Sequence, residues 1–255
     1  MLRRLSSQQQ NKDEKMPHLY IVGRGAMGRA TAAFCEAHNV PHSVWKEPPA
    51  IVEPDAVAIH VGGRVSLIAV LAWCKATGTP LIFAASGLNE SQPKHVSDFV
   101  LVLAPSLSLR VISCMERIGQ HKTQAHMSGV RTKITVSHQL TKDTPPGLAH
   151  AIAEMLGVPT SVIEEIRSVD QQVDFGVPLE HIERHSHHVV EMHDGHRCIF
   201  QLELRVNGLG EYAEGAVAIA ESIIALRTIS PGIYSASWIL QRAGKLSRTP
   251  ETVPG

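Results

Sequence analysis

The sequence carries no excess charge of either sign: 24 basic and 24 acidic residues cancel over 255 positions. Neither half is dominated by one sign, which excludes the basic footprint of a nucleic-acid binder and leaves a small molecule as the expected partner. Cysteine is scarce as well. Cys35, Cys74, Cys114 and Cys198 stand far apart with no C-x-x-C pair, which argues against a disulfide framework or a cysteine zinc site and fits a reducing, cytoplasmic setting. No apolar run reaches the roughly 18 residues of a spanning helix, so no membrane partner is expected. Residues 1–15 have arginines at 3 and 4 but neither an apolar stretch nor a small-residue cleavage site. They do not read as a secretory signal. Residues 1–16 are expected to be a disordered extension, with Met16 as the candidate natural start. There is no internal repeat.

What is present is an alternation of β-rich runs and helical stretches over the first hundred residues, the mark of a parallel sheet with crossover helices. Strands are expected at 19–22, 43–45, 56–61 and 80–85, with helices from the first turn to Ala37 and over 65–76. The run Asp98-Phe-Val-Leu-Val-Leu-Ala104 reads as a strand buried on both faces. After Pro105 a long helix to about Gly119, a His- and Lys-containing loop and a strand over 131–138 mark a domain junction. Beyond it come a helix at 147–156, strands near 184–191 and 197–207, and a helix at 212–226. The fold class expected is therefore α/β: a parallel-sheet domain over 17–109, to which 230–255 returns, and an α+β domain with a mixed sheet over 110–229, for substrate binding and oligomerisation.

Directly after the first strand stands Gly23-Arg-Gly-Ala-Met-Gly28, the G-x-G-x-x-G spacing of a Rossmann dinucleotide-binding turn. Gly23 permits the tight turn, Gly25 lets the backbone approach a pyrophosphate, and Gly28 lets the helix pack on the strand. The helix N-terminus, with Ala26 and Met27 in its first turn, faces the phosphates. At the end of the second strand Lys46 and Glu47 make opposite suggestions. Glu47, 19 residues past Gly28, suits the ribose hydroxyls of NAD, whereas Lys46 suits the 2′-phosphate of NADP. The cofactor expected is NADH or NADPH, with the choice open.

Five further stretches, with the glycine loop, make the sequence similar to the dihydrodipicolinate reductase (4-hydroxy-tetrahydrodipicolinate reductase) family, as a divergent member. Phe83-Ala-Ala-Ser-Gly-Leu88 is similar to the family's I-G-T-T-G-F, and Ala104-Pro-Ser-Leu-Ser108 to its A-P-N-F-S. The resemblance implies that Ala85, Ser86, Gly87, Ala104 and Ser106 line the nicotinamide. Ser137-His-Gln-Leu-Thr-Lys-Asp-Thr-Pro-Pro-Gly-Leu148 is similar to the family's substrate stretch E-x-H-H-x-x-K-x-D-x-P-S-G-T, keeping the His138-to-Lys142 spacing. The segments 211–217 and 230–240 resemble the family's last helix and closing motif. The resemblance implies reduction of a cyclic dicarboxylate in lysine and diaminopimelate biosynthesis, catalysis by His138 and Lys142, substrate binding at Gln139, Gly147 and Leu148, and a homotetramer. In that tetramer Val189–Asn207, with apolar Ile199, Phe200, Leu202 and Leu204, would form the interface. The departures are Gln139 for a histidine, Leu148 for a threonine and Leu209 for an arginine, with Arg205 as a substitute if it points into the cleft.

The residues support this chemistry independently. Pro145-Pro-Gly147 ahead of an apolar helix makes an end with unpaired N–H groups, which holds a carboxylate, and Lys142 can add a positive charge or donate a proton there. The histidines at 181, 185, 187, 188, 193 and 196 read as a solvated strand and turn rather than a metal site, since no H-E-x-x-H motif is present. The alternatives are an amino- or imino-acid dehydrogenase that shares the glycine loop, and a non-catalytic nucleotide-binding paralogue.

Overall fold

The computed structural model describes residues 16–85, 93–138, 145–226 and 228–246. The chain opens with β1 (His18–Val22), α1 (Ala26–Ala37), β2 (His42–Val44), β3 (Ala56–His60), α2 (Arg64–Thr77), β4 (Leu81–Phe83) and β5 (Val100–Leu103). Then follow α3 (Leu109–Gly119), a short α4 (Lys122–Ala125) in the expected loop, β6 (Val130–His138), α5 (Gly147–Leu156), β7 (Ile163–Ile166) and α6 (Val169–Asp174). The chain continues with β8 (His185–Asp194), β9 (Arg197–Asn207), α7 (Gly210–Ala225), β10 (Gly232–Ser235) and α8 (Ala236–Arg242).

Among the described residues the first sheet has six strands in the order β10-β5-β4-β3-β1-β2, and every pairing in it is parallel. Its central strands β1, β3, β4 and β5 are largely apolar without alternation because both faces are covered. Leu19 and Ile21 pack with Ile219, Ala220 and Ile239 in one core, whereas Tyr20 and Val22 pack with Leu67, Val70 and Trp73 in another. On the second face Tyr20, Trp45 and Trp73 meet edge to face, with centroids 5.1 to 6.5 Å apart. Each such pair contributes roughly 0.5–1.5 kcal/mol beyond its buried area. This locks the end of β2 against α2.

The second sheet has the order β7-β6-β8-β9, with β6 and β7 parallel and the other pairs antiparallel. It is the mixed sheet expected. One face rests on α3 and α5 through Ile134, Val136, Ile152, Leu156, Val190 and Met192. Here two expectations are corrected. Ile199, Phe200, Leu202 and Leu204 belong to this chain's own second core, so their apolarity is accounted for inside the chain and not by an outer face that must pair. The histidines at 185, 187 and 188 are not solvated: their exposures are 5%, 3% and 0%.

Candidate active site

The order β3-β1-β2 places a topological switch beside β1, and ligands of open α/β sheets bind at such points. Gly23 follows β1 there with φ +144°, a conformation that favours glycine, and a Cβ on it would lie 2.8 Å from the Val61 carbonyl carbon. A Cβ on Gly28 would collide with the Gly23 carbonyl oxygen. Gly23 and Gly28 are thus required by the fold. Gly25 is different: it is the N-cap of α1, its backbone is extended (φ −70°, ψ −171°), and no side chain caps the helix. Among the described residues a Cβ on it would meet nothing within 4 Å. The described residues do not demand glycine at 25, and the open space leaves room for a phosphate at the helix end formed by Ala26, Met27 and Gly28. These residues fit a dinucleotide.

A second turn shares this end of the sheet. Gly62 lies against Gly23, and Gly63 is the N-cap of α2, again with no side-chain cap. His60, fully buried, stacks flat on Phe83 with centroids 5.7 Å apart and meets Ser66 Oγ at 3.0 Å through Nε2. Burial holds His60 below the ordinary histidine value. Sequence reasoning passed over this turn, although a Gly-Gly pair after an apolar strand was its signal. Lys46 and Glu47 are exposed in the bend just after β2. Because Val44 is paired with Ile21 and Trp45 N–H bonds to the Ile21 carbonyl, both follow at the glycine-loop end of the sheet.

A cleft of about 570 Å³ joins the C-terminal ends of β4 and β5 to the second sheet. From the first side come Met27, Ala85, Ala104 and Ser106; from the second, His138, Gly147 and Leu148. Ser106 is buried and its Oγ accepts from Ser108 N–H. Ser108 in turn caps α3 and donates to Glu211, so the β5 loop is tied to the helix that follows Leu209. The N-terminus of α5 begins at Gly147 with Pro146 as N-cap and no side-chain cap. Leu148 turns its side chain into the second core while its backbone stays at the helix end. Gln139, Lys142, Ser86 and Gly87 lie outside the described residues.

The floor of the cleft is polar and tightly bonded. His138 ends β6, is 5% exposed, and meets the fully buried His188 edge to face at 5.3 Å. Its carbonyl accepts from Gln172 Nε2 at 2.6 Å, anchoring the strand end to α6. His185 Nδ1 faces two carbonyls, of His181 and Ile182, so it carries the proton. Its Nε2 then accepts from Ser137 Oγ at 2.8 Å. Burial holds His185 below the ordinary value, which keeps this neutral tautomer. Burial also pushes the Tyr212 hydroxyl up to about 12, against a hydrogen bond with Ser186. Tyr212 lines the cleft and stays protonated there.

Two cationic possibilities are resolved differently. Arg205 does not line the cleft: it donates to Glu203 and to the Gly176 carbonyl, with Glu203 also held by His187 at 2.6 Å. Arg184, which sequence reasoning missed, does line the cleft, as does Leu209. Gly208 N–H donates to the Arg184 carbonyl at 2.8 Å. The backbone of Arg184 therefore lies beside that of Gly208 and Leu209 at the cleft. The signal was weak, since Arg184 is distant from Leu209 in sequence.

No family model matches the sequence. The chain is 29% identical over 196 residues to the probable 4-hydroxy-tetrahydrodipicolinate reductase 2, chloroplastic, of Oryza sativa subsp. japonica, covering 71% of this chain and 58% of the rice protein. The match thus spans less than two thirds of that relative's length. Among solved structures, a dipicolinate-bound dihydrodipicolinate reductase from Paenisporosarcina sp. TG-14 aligns with a TM-score of 0.56 at 12% identity, over 87% of this chain and 98% of that one. At that identity the likeness is one of fold. Among the described residues no helix is long and apolar enough to cross a membrane. The chain is thus similar in sequence to a probable 4-hydroxy-tetrahydrodipicolinate reductase of rice, and similar in its two-sheet α/β fold to a solved dihydrodipicolinate reductase.

Proposed function

We propose that the chain is an NAD(P)H-dependent reductase of a cyclic dicarboxylate, taking 4-hydroxy-tetrahydrodipicolinate to tetrahydrodipicolinate. One observation carries this reading: a single cleft is walled on one side by the strand ends that follow the dinucleotide turn and on the other by His138 and the N-terminal end of α5, where Pro146 supplies no side-chain cap. When bound, the nicotinamide supplies a hydride. The chain's residues supply the rest. The N–H groups of Gly147 and Leu148 receive one carboxylate, and Arg184 pairs with the other, in place of the guanidinium absent at 209. The 4-hydroxyl leaves as water with a proton from the neighbouring carbon; once hydride has reached the carbon that bore it, Lys142 returns a proton to that neighbour and His138 assists. Tyr212, kept neutral by burial, orients substrate by hydrogen bonding and exchanges no proton at neutral pH.

The test uses dipicolinate, a stable planar dicarboxylate. Calorimetry on the nucleotide-saturated protein should show it binding, and binding should weaken about tenfold or more in Arg184→Ala. No binding to wild type in the presence of either nucleotide would overturn the dicarboxylate reading.

A further inference from the structure

The β8–β9 hairpin contains an irregularity whose effect is chemical. From the α7 end towards the hairpin tip the pairs run His185 with Asn207, His187 with Arg205, Val189 with Glu203 and Glu191 with Gln201. Odd-numbered residues of both strands therefore share the face away from the second core, while Met192 and Phe200 face into it. Between Met192 and His193 the register shifts, so that His193 pairs with Cys198. Ile199 is the extra residue. A regular ladder would put Cys198 on the inner face with Phe200; the bulge turns it outward, across from His193.

Glu191 already occupies that face two residues before His193. One ligand atom from each of Glu191, His193 and Cys198 lies within 4.8 Å of the others, and His193 Nε2 is 3.6 Å from Glu191 Oε1. In a tetrahedral zinc site, neighbouring ligand atoms lie about 3.3–3.6 Å apart. The imidazole and carboxylate already have this spacing, and side-chain rotation at Cys198 closes the remaining gap. The trio is reachable, with His193 32% and Glu191 26% exposed and Cys198 exposed. Nearby cations are occupied: Lys133 pairs with Glu164 at 2.7 Å, Arg131 donates to the Gly195 carbonyl, and Arg197 pairs with Asp194.

We propose that Glu191, His193 and Cys198 form a binding site for a thiophilic divalent cation such as zinc, with solvent completing the coordination. Binding displaces the Cys198 hydrogen bond to the Phe200 carbonyl and releases the thiol proton to water. The site is separate from the cleft. His185, at the cleft, and His193 stand eight residues apart on β8, about 26 Å at strand rise. The ion therefore clamps the tip of the hairpin and takes no part in reduction.

The probe is cobalt(II) titrated into the full-length, reduced protein. A thiolate-to-cobalt charge-transfer band should appear with one ion per chain and should be displaced by zinc. Burial pushes the Cys35 and Cys74 thiols up to about 11 and about 12, so the competing thiol is the half-buried Cys114. Cys114→Ser should keep the band and Cys198→Ser should lose it. His193→Gln should weaken zinc binding on the order of 100-fold, with nucleotide affinity unchanged. No band in the wild type, a band that persists in Cys198→Ser, or equal zinc affinity in wild type and His193→Gln would each overturn the site.

Discussion

Replacing Gly25 separates the two meanings of the glycine loop. Because residue 25 is extended and a Cβ there meets none of the described residues within 4 Å, Gly25→Ala breaks no contact among them. Restricting the unfolded chain contributes about 0.4–1 kcal/mol of stability, and alanine is a poorer N-cap than glycine by roughly 0.5–1 kcal/mol. The two effects cancel to within about 1 kcal/mol, or about 2–4 °C in midpoint for a chain of this size. Gly25→Ser restores a capping oxygen and should raise the midpoint. For the nucleotide both changes act alike: the new atoms stand where the pyrophosphate meets the helix end, and affinity should fall at least tenfold, about 1.4 kcal/mol. Gly28→Ala does the reverse. Its Cβ runs into the rigid Gly23 carbonyl, so it should cost about 1–3 kcal/mol of stability. The assay is thermal unfolding beside calorimetric titration of NADH and NADPH. A Gly25→Ala protein that binds both nucleotides as tightly as wild type would refute the reasoning.

Other expectations follow from the cleft and the buried histidines. Arg184→Ala should raise KM for the dicarboxylate roughly 10- to 100-fold, the range of a charged hydrogen bond, without changing nucleotide affinity, and Leu209→Arg in that background should restore it; steady-state kinetics decide this. Lys142→Ala should lower kcat by about two orders of magnitude while leaving nucleotide affinity unchanged, with His138→Ala acting in the same direction; equal turnover would remove Lys142 from the chemistry. His18, His60, His185 and His187 are each held below the unfolded value of 6.5, chiefly by burial. As pH falls below 6.5 the unfolded chain takes up more protons than the folded one, so stability should drop with acidification; a denaturant midpoint that does not move between pH 7.5 and 5.5 would contradict these burials. Sedimentation at micromolar concentration should show a tetramer, and a monomer would contradict that expectation.

The fold was legible where periodicity was strong. The helix at 147–156 and the strand at 197–207 stand at the boundaries the pattern suggested, because each has a run long enough to distinguish the helical from the strand period. Short elements were lost. In β7 the sequence Ile-Glu-Glu-Ile offers two apolar residues, and its strand character comes from pairing with β6, which no local pattern reveals. The glycine turn was legible because its chemistry is local. Arg184 and the Gly62-Gly63 turn were not, since their relevance depends on β8 lying beside Leu209 and on β3 lying beside β1. The buried histidines on β8 misled for a related reason: polarity suggested solvent, whereas inside the sheet His185 bonds to two carbonyls and Ser137, and His187 to Glu203.

The account's central claim is that one cleft brings a nicotinamide and a cyclic dicarboxylate together for reduction. Its most direct test follows nicotinamide absorbance after the purified chain is mixed with NADH or NADPH and the freshly formed condensation product of pyruvate and aspartate semialdehyde. The account predicts oxidation of at least one nucleotide, dependent on that product and lost on replacing Lys142. Tight nucleotide binding with no oxidation of either cofactor would contradict it and make the chain a non-catalytic nucleotide-binding paralogue.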